Sequence, residues 1–172
     1  MRFGAVAVIV VLLAIVSLTA LILSNPSWRD RARRQLGWMA YFEVGSASDL
    51  PVQWHQGASA TVVIFVSGQC QACLQSAPFH RDLRSSAAAA GLRVVTALTS
   101  LTDDPSAYAA AESLADRDVV TFDFTGSRLR VVPTIVIVDR NGVVVETKEG
   151  VLPEAEQHAL IARVWSLRSP RT

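Results

Sequence analysis

The chain has 172 residues, enough for one ordinary domain with an appendage and too few for two full domains. Hydrophobic residues make up 51% and charged residues 18%, which excludes a disordered chain. The 16 Lys+Arg nearly balance the 15 Asp+Glu, so charge gives no basis for a nucleic-acid partner, and two cysteines are too few for a disulfide-rich scaffold or a four-cysteine zinc site.

The apolar excess is local. Phe3 to Ser24 carries no charged residue and is mostly Ala, Val, Ile and Leu. A helix of that length spans roughly 33 Å, about one hydrocarbon core. The apolar stretch of a cleavable leader is shorter, about 7 to 15 residues, and ends at a small-x-small site. The exit Leu21-Ile22-Leu23-Ser24-Asn25-Pro26 offers none. The sequence therefore predicts an uncleaved single-pass anchor over residues 3–24. Arg29, Arg31, Arg33 and Arg34 follow it while only Arg2 precedes it, a distribution that on its own favours a cytoplasmic C-terminal domain. Residues 25–58 read as a juxtamembrane connector. Its basic stretch Ser27 to Gln35 can lie along the headgroups, and Ser46-Ala47-Ser48-Asp49 and Gly57-Ala58-Ser59 have loop composition.

A globular domain is expected over residues 59–168. Thr61 to Val66 is a continuous, β-branched apolar run, as in a strand buried on both faces. Ser67-Gly68-Gln69 is a turn. A helix follows from Cys70 to Ala90, closed by Gly91. Leu92 to Leu98 is a second strand. Asp104-Pro105 supplies an N-cap and a first-turn proline for a helix reaching about Asp116. Val119 to Phe124 is a short strand. Val132-Pro133-Thr134 leads into the strand Ile135 to Val138, Asp139-Arg140-Asn141-Gly142 is a hairpin turn, and Val143 to Thr147 returns. Pro153 opens a final helix to about Leu167, with Leu160, Val164 and Leu167 on one stripe. The first strands need parallel pairing through right-handed crossovers and the hairpin adds an antiparallel pair. The fold class predicted is α/β, three layers, with a central mixed sheet covered by helices on both faces.

Cys70-Gln71-Ala72-Cys73 falls where the first strand gives way to the helix. The first N–H groups of a helix are unpaired and its dipole end is positive, so both stabilise a thiolate at Cys70. Cys73 lies nearly one turn on, close enough for a disulfide. Cys70 can then attack a disulfide and Cys73 can resolve the mixed disulfide, or the pair can oxidise a dithiol by the reverse route. Other readings stay open. Two cysteines on one helix can be core thiols. A soft two-thiolate copper site is conceivable, although His55, His80 and His158 have no close ligand spacing. His80 is read as a surface or half-buried helix residue with a proton shuttle as the rival, Asp123 as an edge-strand charge, and Arg81, Asp82 and Arg84 as a solvated face.

On this strand into Cys-x-x-Cys, on Val132-Pro133-Thr134 before a strand, and on the Asn141-Gly142 to Gly150 hairpin, the chain resembles the thioredoxin superfamily from about Thr61 to Leu167. With its apolar leader it is similar to the membrane-anchored TlpA/ResA-type thiol–disulfide oxidoreductases, and Pro78 matches a proline of their first helix. The resemblance implies a thioredoxin-like fold and catalytic roles for Cys70 and Cys73. It implies a cis Pro133 facing the cysteines, with Val132, Pro133 and Thr134 shaping the substrate groove. No metal and no organic cofactor are implied. The partners implied are protein dithiols and disulfides and a membrane electron donor. The implied location is the bacterial inner membrane with the domain on the periplasmic, extracytoplasmic side, against the arginine distribution. Gln69, Leu74, Ser76 and Ile64 depart from the family pattern. Ser76 stands where many ResA-type members carry glutamate, and Ile64 where thioredoxins have a buried aspartate.

Overall fold

The computed structural model describes residues 42–99, 104–115, 118–123, 129 and 131–168, all within one unit of the chain, Tyr41–Thr172. The predicted anchor Phe3–Ser24 and the basic stretch after it lie outside the described residues. Among the described residues no helix is long and apolar enough to cross a membrane.

The elements run α1 (Val52–His55), β1 (Ala60–Val66), α2 (Gln71–Ala89), β2 (Arg93–Leu98), α3 (Pro105–Ala111), β3 (Val119–Thr121), β4 (Thr134–Asp139), β5 (Val144–Glu149) and α4 (Glu154–Ser166). The strands form one sheet in the order β3-β2-β1-β4-β5. β1 pairs in parallel with β2, and β2 with β3, each through a helical crossover. β4 runs antiparallel to both β1 and β5. The sheet is mixed, as the sequence order requires. β1 is buried along its whole length, which is why its side chains alternate without a polar face.

Alternation along β1 divides the core. Val62, Ile64 and Val66 face Phe79 and Leu83 of α2, Ala109 of α3, and Leu160 and Val164 of α4. Val63 and Phe65 face the other way, onto Phe42, Leu50, Trp54 and Leu129. Phe42 stacks on Phe65 with ring centroids 5.2 Å apart, and Phe122 meets Phe65 edge-on at 5.2 Å. Helices were expected on both faces. Among the described residues the second face carries only the four-residue α1, and its cover comes from residues 42–58, the stretch read as connector. That segment is tied down by backbone as well: the Gly45 N–H donates to the Val144 carbonyl at 2.7 Å and the Val144 N–H to the Ser46 carbonyl at 2.9 Å.

Two element ends also differ from expectation. α3 stops at Ala111, not near Asp116, because Ser113 turns to φ 55°, a left-handed conformation that a helix cannot continue. Its start is as read: Asp104 accepts the Ser106 N–H at 2.9 Å. β3 ends at Thr121, short of the expected Phe124.

Candidate dithiol site

β1 and β4 are antiparallel, with Phe65 opposite Thr134. The end of β1 and the start of β4 therefore share one edge of the sheet. That register brings the Ser67-Gly68-Gln69-Cys70 turn leaving β1 beside Val132 and Pro133 entering β4. The Cys70 N–H closes the turn on the Ser67 carbonyl at 3.2 Å.

Cys70 is the N-cap of α2, with extended backbone at φ −85° and ψ 113°. Its sulfur accepts the Cys73 N–H at 3.3 Å, the bond a capping serine oxygen would take. Its thiol also donates to the Val132 carbonyl at 3.4 Å. Both cysteines are free thiols. Cys70 is half-buried and Cys73 is only 5% exposed. Burial pushes the Cys73 thiol up to about 12, and its hydrogen bond and charge interaction with Cys70 add to that. The Cys70 sulfur thus stands half-buried at the start of the helix, bonded to a first-turn N–H, and the Cys73 thiol lies beneath it, protonated.

The Val132–Pro133 peptide bond is cis. The Pro133 carbonyl accepts the Gly150 N–H at 2.7 Å, and the Thr134 hydroxyl donates to the Val131 carbonyl at 2.7 Å. Thr134 is fully buried and Pro133 is buried, so of the three residues predicted to shape a groove only Val132 reaches the surface in part. Around them Leu74 and Val131 are exposed, at 57% and 38%. The structure thus brings Cys70, Cys73 and Val132 together. Thr134 acts on the same loop from below.

The other candidates scatter. His55 lies at the far end of β1 from the cysteines, beneath the Asp139–Gly142 turn, where a methyl group on Gly142 would come 2.9 Å from its Cε1. His158 and Asp123 are exposed. Among the described residues no cluster of three or more His, Cys, Asp or Glu side chains is placed to hold a metal.

Two readings of α2 need correction. His80 is neither at the surface nor half-buried: it is 2% exposed, and burial with the Arg84 charge pushes its imidazole down to about 4. Arg84 is not on a solvated face. It is 7% exposed and pairs with Glu112 at 2.9 Å. Arg81 and Asp82 are exposed as read. Sequence reasoning marked Ser76 only as a departure from the family pattern, and missed Tyr108 and Glu112 as neighbours of this buried face. The available signal was the 3-4-4 spacing of Cys73, Ser76, His80 and Arg84, which puts four polar residues on one side of the helix.

No protein-family model matches the sequence, and no curated protein matches it. Solved structures do. A protein disulfide isomerase, provisionally assigned, from Bacteroides thetaiotaomicron superposes with a TM-score of 0.59 at 14% identity, over 74% of this chain and 91% of that one. A thiol:disulfide interchange protein from a Bacteroides species gives 0.53 at 14% identity, over 73% and 92%. A thiol:disulfide interchange protein from Chlorobium tepidum, provisionally assigned as DsbE, gives 0.52 at 21% identity, over 76% and 99%. At these identities what is shared is the path of the chain. The described residues adopt a thioredoxin-like α/β fold with a central mixed sheet.

Proposed function

We propose that the protein is a membrane-anchored thiol–disulfide oxidoreductase that exchanges electrons with protein dithiols and disulfides through Cys70 and Cys73. The observation that carries this reading is the Cys70 sulfur at the start of α2. It accepts the Cys73 N–H, stands 3.4 Å from the Val132 carbonyl, and has a buried thiol one turn behind it. The similar thiol:disulfide interchange proteins support the same chemistry. Cys70 is the nucleophile. Cys73 resolves the mixed disulfide. Val132, with the apolar Leu74 and Val131 exposed beside it, receives the partner chain. The apolar run Phe3–Ser24 supports a single-pass anchor in the bacterial inner membrane. We place the domain on the periplasmic side, with the arginines of residues 29–34 on anionic headgroups and a membrane protein as electron donor.

The test is trapping. Cys73→Ser should accumulate mixed disulfides with partner proteins on non-reducing gels, and Cys70→Ser should not. Equal trapping by both variants overturns the roles. Tight Cu(I) binding without reversible oxidation of the pair would instead mark a copper-carrying domain. An alkaline phosphatase fused after Thr172 should be active; silence there, with an active cytoplasmic reporter at the same point, reverses the orientation.

A further inference from the structure

The end of the sheet away from Cys70 carries a pocket. Ala60 pairs with Asp139, so the loop entering β1 and the turn leaving β4 stand side by side. Between them Gly57, Ala58, Ser59, Arg140 and Asn141 line an open pocket of about 450 Å³. Its side chains are one-sided in chemistry. Arg140 brings a guanidinium, Asn141 a carboxamide and Ser59 a hydroxyl, and no carboxylate stands in the lining.

Buried polar atoms gather at the same end. Ser59 Oγ, in the pocket wall, is buried with no hydrogen-bond partner among the described residues. His55, 8% exposed, packs under Gly142 of the turn, and its Nδ1 is likewise unpartnered. Ser48 donates its N–H to the Gly142 carbonyl at 2.8 Å, while its Oγ bonds nothing. These are three of the six such atoms among the described residues. Buried polar groups are nearly always paired, so three around one turn, one of them in a pocket wall, point to a ligand with oxygens to offer.

The charges around the pocket favour an anion. Arg93 Nη1 donates to the Gln53 carbonyl at 2.8 Å and reaches the Gln56 carbonyl at 3.5 Å, which holds a second guanidinium next to Gly57. The opposing charge in the turn is Asp139. Its Oδ1 accepts the Asn141 N–H at 2.8 Å and the Val143 N–H at 2.9 Å, and its Oδ2 lies 3.5 Å from Asn141 Nδ2. That carboxylate is spent within the turn, and Asn141 keeps a second amide hydrogen for a ligand.

We propose that this pocket binds a phosphate monoester, held by the Arg140 guanidinium, the Asn141 amide and the Ser59 hydroxyl. A monoester presents three terminal oxygens, one for each of these donors, whereas a carboxylate presents two. A guanidinium fork matches two phosphate oxygens at once. The volume leaves room for the organic group that carries the phosphate. The site is independent of the dithiol chemistry, since it lies at the opposite end of β1. The phosphate belongs either to a soluble ester or to the head of an anionic lipid, and the test separates the two.

The experiment titrates glycerol 3-phosphate into the full chain in a phosphate-free detergent and follows the broadening of its phosphorus NMR signal. In parallel, the full chain is placed in phosphatidylcholine bilayers with and without phosphatidic acid, and amide hydrogen exchange is read over residues 57–60 and 140–142. A soluble ester as the source gives saturable broadening. A lipid as the source gives no broadening, and exchange slowed about threefold or more only where phosphatidic acid is present. In either arm Arg140→Gln and Ser59→Ala should weaken the effect, the first by about tenfold, as expected for losing a charge-assisted bond. Arg168→Gln, exposed at the end of α4 and outside the lining, should change it by less than about twofold. No response in either arm overturns the site. Equal weakening by Arg140→Gln and Arg168→Gln also overturns it, because that marks diffuse attraction to positive charge. Mixed-disulfide trapping by Cys73→Ser should be the same with and without Arg140→Gln, so the dithiol reading stands or falls separately.

Discussion

Cys70 and Cys73 are the same residue type one helical turn apart, and that turn separates their chemistry. Cys70 sits where the helix has N–H groups to spare, and Cys73 sits under the surface with its thiol pushed up to about 12. At pH 7 the Cys73 thiol therefore stays protonated. Iodoacetamide near neutral pH should label Cys70 first, as read by peptide mapping; faster labelling of Cys73 would reverse the assignment. His80 gives a second expectation. Its folded value of about 4 lies below the ordinary 6.5, so the unfolded chain takes up the proton first as pH falls. The stability that neutral His80 contributes is complete above pH 6.5 and is lost as pH drops toward 4, with a slope of up to about 1.4 kcal/mol per pH unit. Urea unfolding of His80→Gln should show a flatter pH dependence across that window, and an unchanged slope would contradict the buried-neutral assignment. The cysteine motif was legible because spacing and strand-to-helix position are sequence properties. The burial of His80 was not, because Arg81 and Asp82 beside it are exposed and a window of charges looks like a solvated face.

At the level of elements, β1 and the β4–β5 hairpin could be read directly. A continuous apolar run signals a central strand, and Asp139 accepts the Asn141 and Val143 N–H groups in the turn its sequence advertises. The pairing of α2 with α3 could not be read, since it depends on a contact 28 residues apart between two side chains that each look like surface charges. The Arg84–Glu112 pair is largely buried, at 8% and 20% side-chain exposure. Removing one partner leaves the other charge in a poor solvent, whereas replacing both by apolar groups avoids that penalty. Glu112→Ala should therefore cost about 2–4 kcal/mol in urea unfolding. The double variant Arg84→Met, Glu112→Leu should recover most of that loss. If the double variant is as unstable as the single one, the pair holds the helices together by more than avoiding an orphaned charge.

For the whole molecule, the order of elements already implied a mixed sheet with parallel crossovers, and the fold followed. What order could not reveal was where the domain begins. Phe42, Leu50 and Trp54 are separated by polar and small residues, without the period of a helix or a strand, so they resemble a connector. In the structure they are 1%, 4% and 8% exposed and close the second face of the sheet. The Phe42 carbonyl also accepts the Thr147 hydroxyl at 2.6 Å, and Ala47 bridges to Val143 at the start of β5. Each of these side chains contributes about 1.5–3 kcal/mol by burial, against a total stability of about 5–15 kcal/mol for a typical domain. A chain beginning at Ser59 should therefore lose most of its margin, expose Val63, Phe65 and Val136, and leave β5 without a covering segment, a recipe for association through that edge. A chain beginning at Tyr41 keeps all of these contacts. The expected outcome is a cooperative thermal transition and a strong near-ultraviolet circular dichroism signal for residues 41–172, and neither for residues 59–172. Should the shorter chain unfold as cooperatively as the longer one, the second face does not need Phe42, Leu50 and Trp54, and the domain starts where its first strand does.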